Sequence, residues 1–319
     1  MISSSGSITD LSPPPPDFIL CGAQKAGTTS LFNYLRQVPG LFLPPVKEPH
    51  FYCAPGDGSL PSWTEDDFEL LYRQAIFDPD TLKAQYVDAG DLPRGDGSTM
   101  YLSDAPARER LIAANPELKV IAVVREPAGR AYSAWKMWRR AGLEPLSFAD
   151  ALAAEPERRA RGEGPARAYV EIGRYATHLD AWDAVTKPGN LLVIATSDLD
   201  RDPGAIVADV AAFLGVERPA AGTIDFSRSN LGSTTPTSYR AHDFVRHSRL
   251  SRAARTLLPA AARRRIGTAI RHANSTAAPA LDPAVADAIR LTLLEETVRL
   301  EERTGWDLSS WKPGASAAS

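Results

Sequence analysis

The chain has 319 residues, a formal net charge of −3, 44% hydrophobic residues and 24% charged residues. These values are typical of a globular protein; they exclude an intrinsically disordered chain and give no indication of a nucleic-acid partner. The sequence has no apolar run near the roughly 20 residues of a membrane helix, and its two cysteines, Cys21 and Cys53, are too few for a disulfide framework. We therefore expect a cytoplasmic protein without a transmembrane segment.

The order of apolar and polar segments predicts an α/β fold. Residues 1–16 are Ser-rich and end in four prolines, which is typical of a flexible leader. Three short apolar runs have the composition of buried strands, at 17–22, 120–124 and 191–195. A helical pattern follows each run, and strands that alternate with helices indicate parallel βαβ units. We predict one domain over 17–312, with three layers (α/β/α) around a central parallel sheet, and a flexible tail at 313–319.

The turn after the first strand is a candidate phosphate loop. It has the sequence G-A-Q-K-A-G-T-T, residues 22–29, and leads into a helix predicted over Thr28 to Gln37. Backbone N–H groups at the start of a helix favour an anion, and we expect Thr28 and Thr29 to cap this helix and to donate hydroxyls to phosphate oxygens. The alternative is an ordinary tight turn with a solvated Lys25.

This P-loop-like strand–loop–helix differs from a Walker loop. Its two glycines have the Walker spacing, but Thr28 occupies the lysine position and the lysine lies inside the loop, at Lys25. The usual Mg²⁺ arrangement, a lysine followed by a serine or threonine, is therefore broken. This argues against an ATPase or kinase and favours a loop lysine held against a phosphate-linked group.

A second candidate site follows the strand at 120–124. Arg125 comes directly after this strand, Pro127 is well suited to start the next helix, and Ser133 lies two turns into it. An arginine fork and a serine hydroxyl can hold one phosphate together. The alternative is an Arg125 that pairs with a carboxylate and a Ser133 that only packs at the surface.

Together the two sites resemble the sulfotransferase family, whose members transfer a sulfonate group from 3′-phosphoadenosine 5′-phosphosulfate (PAPS) to an acceptor. In that family a strand–loop–helix with Lys and Thr binds the 5′-phosphosulfate, and an R-[DE]-P-x-x-R-x-x-S segment binds the 3′-phosphate. Residues 125–133 match the second pattern at every fixed position. Residues 47–52, K-E-P-H-F-Y, resemble the K-E-x-H-F-F segment of the branch that includes heparan sulfate and many bacterial sulfotransferases.

One segment departs from the family pattern. The family often has E-x-[ST]-P before its 3′-phosphate segment, whereas residues 103–106 read S-D-A-P. The glutamate is missing, and Asp104 is a candidate to replace it with an offset of one residue.

The resemblance implies PAPS as cofactor, with the desulfonated nucleotide (PAP) as product and no metal ion. It implies that the following residues bind the cofactor: Gln24, Lys25, Ala26, Gly27, Thr28, Thr29, Ser30, Arg125, Ser133 and Arg228. Lys25 is then placed to stabilise the leaving phosphate, where negative charge develops.

The general base has two candidates. Glu48 matches the glutamate that acts as base in the heparan sulfate branch, and we favour it. His50 is the rival because its reference pKa of about 6.5 suits proton transfer at neutral pH. In an extended segment the two side chains point to the same side. We expect Lys47 to contact the sulfonate. The non-catalytic alternative for Glu48 is that it only pairs with Lys47 or Lys25.

The predicted function is an in-line sulfonate transfer from PAPS to a hydroxyl of a carbohydrate or a hydroxylated small metabolite. Two alternatives stay open, a P-loop-type kinase or NTPase and a non-catalytic nucleotide-binding scaffold.

Residues 240–271 hold nine arginines and one acid, Asp243. This basic segment is a candidate contact for an anionic acceptor, for a membrane surface or for the adenosine end of the cofactor, and the alternative is a solvated basic face.

Overall fold

The computed structural model describes residues 13–54, 64, 74–163, 167–227, 234–236, 275–277 and 279–315. The chain divides into two compact units, the first from 1–61, 72–124 and 178–227 and the second from 62–71, 125–177 and 228–319. Arg228 and the basic segment 240–271 lie outside the described residues. The predicted single domain over 17–312, with a leader and a tail, stays a prediction.

A parallel sheet forms the centre of the first unit. Its strands are β1 (Phe18–Gly22), β2 (Gly95–Asp96), β3 (Lys119–Val124) and β4 (Leu191–Ala195), in the order β2-β1-β3-β4. Every neighbouring pair is parallel, with Ile19 opposite Asp96 and Val120, and Ile121 opposite Leu192. All residues of β1 are buried, which explains a continuous apolar run in place of an alternating one. With helices flanking this sheet, the predicted α/β fold is confirmed.

The α-helices of the described residues are α1 (Thr28–Leu35), α2 (Pro79–Gln85), α3 (Ala105–Ala114), α4 (Pro127–Ala141), α5 (Phe148–Ala160), α6 (Tyr175–Asp183), α7 (Thr196–Arg201), α8 (Pro203–Leu214), α9 (Pro283–Thr292) and α10 (Leu294–Thr304). None of them is both long enough and apolar enough to cross a membrane.

Local sequence fixes where several of these helices begin. An Asp-Pro pair starts α2, α8 and α9, and in each the aspartate accepts a hydrogen bond from a backbone N–H of the first turn. Proline at the first helical position loses no internal hydrogen bond. Asp104 caps α3 in the same way, accepting from the N–H of Ala107 at 2.9 Å. Its observed role is therefore to cap a helix.

The second unit is built around α4. The buried side of this helix carries an aromatic cluster in which Tyr132 stacks on Trp135 with ring centroids 5.4 Å apart, and Trp138 is fully buried. Phe148 of α5 and Leu293 complete this core. A short antiparallel pair, β5 (Thr234–Pro236) and β6 (Ser275–Ala277), also belongs to this unit, and β5 packs against α4.

Candidate active site

The loop between β1 and α1 is shaped by backbone conformations that few residues adopt. Lys25 has φ of 70° and Gly27 has φ of 97°, both in the left-handed region that favours glycine. Gly27 occupies the N-cap position of α1 and no side chain caps this helix. The expectation that Thr28 and Thr29 cap it is therefore wrong. The helix begins at Thr28 itself and ends at Leu35, two residues before the predicted end.

A threonine from a distant part of the sequence holds this loop in place. The hydroxyl of Thr196, at the start of α7, lies 2.6 Å from the carbonyl oxygen of Ala26 and 2.9 Å from that of Val124. It thereby links the loop to the carboxyl end of β3. Sequence reasoning did not single out Thr196, whose only signal is its place directly after the third apolar run.

The loop leaves some of its predicted cofactor-binding residues accessible. Gln24, Ala26 and Thr28 are buried, whereas the other four are only partly buried, namely Lys25, Gly27, Thr29 and Ser30. The described surface of the loop therefore presents a lysine, two hydroxyl side chains and glycine backbone, which is a donor set suited to phosphate or sulfate oxygens.

Lys47 connects this loop to the K-E-P-H segment. Its ammonium donates to the hydroxyl of Thr28 at 3.3 Å and also contacts Oε1 of Glu48. The side chains of Lys47 and Glu48 are 15% and 25% exposed, so the pair is accessible from one side. The structure thus brings together, within the first unit, residues that were assigned to cofactor binding and to catalysis from separate motifs.

Glu48 is held as a carboxylate. Burial raises its pKa, but the charge of Lys47 and a hydrogen bond and charge from His50 outweigh burial and lower the pKa to about 2. Nε2 of His50 lies 3.3 Å from Oε2 of Glu48, and the hydroxyl of Thr99 donates to the same oxygen at 3.4 Å. At neutral pH Glu48 is therefore ionised and able to accept a proton.

Glu48 and His50 meet as expected, but the predicted extended segment is wrong. The chain bends at 45–47, and His50 adopts φ of 50°, just before the 3-10 helix Phe51–Cys53. The imidazole is fully buried, and the backbone N–H of His50 donates to the hydroxyl of Ser98 at 2.9 Å. Tertiary contacts, and not strand periodicity, therefore bring the two side chains together.

The buried carboxylate of Asp96 is linked to the His50 turn through Ser98. Asp96, at the end of β2, accepts from the N–H of Ser98 at 2.8 Å and from the hydroxyl of Tyr101 at 3.1 Å. Burial raises the pKa of Asp96, while the Ser98 hydrogen bonds and the charge of His50 lower it in part. Sequence reasoning missed this group, which lies in the G-D-G-S-T stretch at 95–99.

Gly97 in the same stretch allows the backbone of the K-E-P-H segment to approach closely. Its N–H donates to the carbonyl oxygen of Lys47 at 3.0 Å. A Cβ at this position would lie 2.7 Å from the ring of Phe32 and 3.0 Å from that same carbonyl oxygen. Only glycine fits between them without a shift of one or the other.

In the second unit, the R-E-P turn at 125–127 is tightly fixed. Glu126 caps α4 by accepting from the backbone N–H groups of Ala128 and Gly129, at 3.2 and 2.6 Å. Arg290 of α9 donates to Glu126 at 3.0 Å, and the hydroxyl of Tyr175 donates to the carbonyl oxygen of Arg125 at 2.9 Å. Neither Arg290 nor Tyr175 was assigned this role from the sequence.

The guanidinium of Arg125 lies along the first turn of α4. A Cβ at position 129 would be 3.9 Å from Nε and Nη2 of Arg125, so the glycine there gives the guanidinium room. Ser133 is partly exposed one turn further along the same helix.

Among the described residues, no group of three or more His, Cys, Asp or Glu side chains is placed to hold a metal ion.

Comparison with known proteins identifies the family. A family model described as the sulfotransferase domain matches residues 15–229, about two thirds of the chain. The chain belongs to the sulfotransferase family. This match confirms the family predicted from the loop at 22–29, the segment 125–133 and the K-E-P-H segment.

Relatives of this sulfotransferase include enzymes named for heparan sulfate. The human heparan sulfate glucosamine 3-O-sulfotransferase 6 is 32% identical over 208 residues, which cover 64% of this chain and 53% of the relative. The human bifunctional heparan sulfate N-deacetylase/N-sulfotransferase 3 is 26% identical over 210 residues, 63% of this chain and 22% of the relative. The chain thus spans between about a fifth and about half of the length of these curated relatives.

A solved bacterial structure matches over nearly the whole chain. The sulfotransferase from Alicyclobacillus acidocaldarius aligns with a TM-score of 0.68 and 26% identity, and covers 93% of this chain and 98% of its own. The similarity therefore extends beyond the residues that the family model matches.

Proposed function

We propose that this sulfotransferase transfers a sulfonate group from PAPS to a hydroxyl of a carbohydrate or a hydroxylated small metabolite. The observation that carries the proposal is the contact of Lys47 with both the Thr28 hydroxyl and the Glu48 carboxylate. It joins a loop suited to the 5′-phosphosulfate with an ionised carboxylate suited to deprotonating an acceptor.

Two segments of the chain are assigned to the donor. In the first unit, residues 24–30 hold the 5′-phosphosulfate through backbone N–H groups and through the hydroxyls of Thr28 and Thr29. In the second unit, Arg125 and Ser133 hold the 3′-phosphate. Arg228 is assigned to the nucleotide on the resemblance alone. When bound, PAPS supplies a sulfonate group attached to a good leaving group, the 5′-phosphate of PAP.

The chemical step needs a base and a stabilised leaving group. Glu48 takes the proton of the acceptor hydroxyl, whose oxygen forms a bond to sulfur as the bond from sulfur to the bridging phosphate oxygen breaks. Lys25 stabilises the negative charge that develops on that phosphate oxygen. Glu48 ends the step protonated and passes its proton to solvent. No metal ion is assigned a role in this scheme.

Accessibility favours Glu48 over His50 as the base. An acceptor hydroxyl must come within hydrogen-bond reach of the base. The Glu48 side chain is 25% exposed, whereas that of His50 is fully buried and contacts Glu48 through Nε2. We therefore assign His50 to orienting the carboxylate.

Lys47 offers a way to make Glu48 a stronger base once the donor is bound. A carboxylate with a pKa of about 2 is a weak base. The Lys47 ammonium already reaches Thr28, so a short movement toward a sulfonate on the loop would weaken its pairing with Glu48. Loss of that charge raises the pKa of a carboxylate in a partly buried site.

The nature of the acceptor rests on the relatives. Both curated relatives described above are named for heparan sulfate, which favours a carbohydrate over a small metabolite. The name of the 3-O-sulfotransferase favours a hydroxyl as the acceptor group, and that relative is the more similar of the two. A cytoplasmic location and a peripheral membrane contact through 240–271 stay predictions.

Donor preference tests the function. The purified chain is incubated with radiolabelled PAPS and a panel of N-sulfated heparosan oligosaccharides and simple phenols, with EDTA present, and in parallel with Mg-ATP. We expect transfer of label from PAPS in EDTA and no consumption of ATP. Mg-dependent consumption of ATP would indicate the kinase or NTPase alternative. Tight PAP binding without label transfer to any acceptor or to water would indicate the scaffold.

A further inference from the structure

The exposed side of α4 carries a row of basic and hydroxyl side chains. At about 100° per residue, positions 129, 133, 136 and 140 fall within an arc of about 60° on an α-helix. All four are partly exposed, and the guanidinium of Arg125 lies against position 129. This row therefore continues the predicted phosphate pair, Arg125 and Ser133, with two further cations, Lys136 and Arg140.

The Lys136 side chain is directed back along the helix, over the ring of Tyr132. Its ammonium lies 4.9 Å from the ring centroid of Tyr132, one turn nearer the N-terminus. Tyr132 is itself fixed, because it stacks on Trp135 and donates its hydroxyl to the carbonyl of Pro279. The ring thus holds the ammonium one turn nearer the N-terminus of α4 than the Lys136 backbone.

The charges of two other cations act on Lys136. Among the residues that the structure describes, none forms an ion pair with it. Burial lowers the pKa of Lys136, and the charges of Arg125 and Arg140 lower it further. Glu126 also lies beside position 129, where the N–H of Gly129 and the guanidinium of Arg290 already engage it. Cations held close together repel each other, and a further anion bound beside Lys136 lowers that cost.

We propose that Lys136 is a third side chain of the subsite that holds the 3′-phosphate of PAPS and PAP, together with Arg125 and Ser133. The ligand is a phosphate monoester, which carries a charge of about −2 and three acceptor oxygens at neutral pH. Arg125 supplies a bidentate fork, Ser133 a hydroxyl and Lys136 a compact charge, so two cations meet two negative charges. This inference rests on the proposed function.

The test compares two nucleotides that differ in the 3′-phosphate. Binding of PAP and of 5′-AMP is measured by calorimetry for the wild-type chain, Lys136→Met, Lys136→Arg and the control Lys83→Met, whose lysine is exposed on α2. A charge-assisted contact predicts that Lys136→Met weakens PAP binding by about 10- to 100-fold. Binding of 5′-AMP should be unchanged, Lys136→Arg should recover most of the PAP affinity, and Lys83→Met should match the wild type.

Three results would distinguish a failure of the Lys136 inference from a failure of the proposed function. If Lys136→Met binds PAP within twofold of the wild type, the inference is wrong and the proposed function stands. If Lys136→Met weakens PAP and 5′-AMP equally, its role is structural and the inference is also wrong. If the wild-type chain does not prefer PAP over 5′-AMP, the PAPS-dependent function itself fails. Methionine preserves the apolar stem over Tyr132, and a melting curve for each variant checks the fold.

Discussion

Nε2 of His50 lies 3.3 Å from Oε2 of Glu48, and the imidazole is fully buried whereas a quarter of the Glu48 side chain is exposed. The two side chains therefore differ in accessibility, although the chemistry of each one allows it to accept a proton. Nε2 of His50 contacts one carboxylate oxygen, Lys47 contacts the other, and one side of the carboxylate stays exposed.

The contacts of Glu48 predict how the stability of the unliganded chain depends on pH. Its pKa is lowered from 4.5 to about 2, so the stability that Glu48 contributes is fully present above pH 4.5 and is lost as the pH falls toward 2. Glu48→Gln mimics the protonated side chain. We expect the stability difference between wild type and Glu48→Gln to shrink by about 1 kcal/mol between pH 6 and pH 3.5, measured by urea unfolding. A difference that stays constant over this range would show that the pKa of Glu48 is not depressed.

Lys25 allows its charge to be tested without backbone strain. Its φ of 70° suits glycine, so Lys25→Gly removes the ammonium at no conformational cost to the loop. We expect Lys25→Gly and Lys25→Ala to lower turnover at least ~100-fold, as is typical for groups that stabilise developing charge. Thermal unfolding should show Lys25→Gly to be at least as stable as Lys25→Ala. Turnover of Lys25→Gly within tenfold of wild type would exclude Lys25 from the leaving-group role.

Arg125 should act on cofactor binding more than on the chemical step. Arg125→Ala removes the guanidinium that lies against position 129, and we expect PAP affinity to fall by ~10-fold or more, as for a charge-assisted contact. The turnover number at saturating PAPS should change less. Tyr175→Phe, which removes only the hydrogen bond to the Arg125 carbonyl, is the milder companion variant. Unchanged PAP affinity in Arg125→Ala would mean that the 3′-phosphate is held elsewhere.

Gly97 is predicted to be intolerant of a side chain. Gly97→Ala places a Cβ 2.7 Å from the Phe32 ring and 3.0 Å from the Lys47 carbonyl oxygen, and overpacking of this kind costs about 1–3 kcal/mol. Turnover should fall as well, because the displaced backbone carries Lys47 and Glu48. Gly204→Ala in α8 is the control, since its nearest neighbour is at 3.4 Å. Equal melting temperatures for the two variants would contradict the close approach at Gly97.

The features predicted from sequence are those with a local signal. Strands at 17–22 and 120–124 show as apolar runs because both faces of the parallel sheet are covered there. The strand at 191–195 shows the same kind of run, although its first three residues are only partly buried. The loop at 22–29 and the R-E-P turn show as motifs because each uses glycine, proline or charged side chains at a fixed spacing to form one local backbone conformation.

The features that were missed depend on contacts between distant residues. Thr196 lies 170 positions from Ala26, and Arg290 lies 164 positions from Glu126. The turn at His50 has no local signal either, because a histidine at positive φ is imposed by its surroundings, here the hydrogen bond to Ser98. Likewise, threonines at the start of α1 suggested a cap, whereas the left-handed Gly27 occupies that position.

The most direct test is sulfonate transfer by Glu48→Gln and His50→Gln, measured with radiolabelled PAPS and the best oligosaccharide acceptor, alongside PAP affinity for each variant. We predict that Glu48→Gln lowers turnover at least ~100-fold with PAP affinity nearly intact, as expected for loss of a general base. His50→Gln should lose much less, since it keeps a hydrogen-bonding group near Glu48. Retained activity in Glu48→Gln together with its loss in His50→Gln would contradict the assignment and make His50 the base.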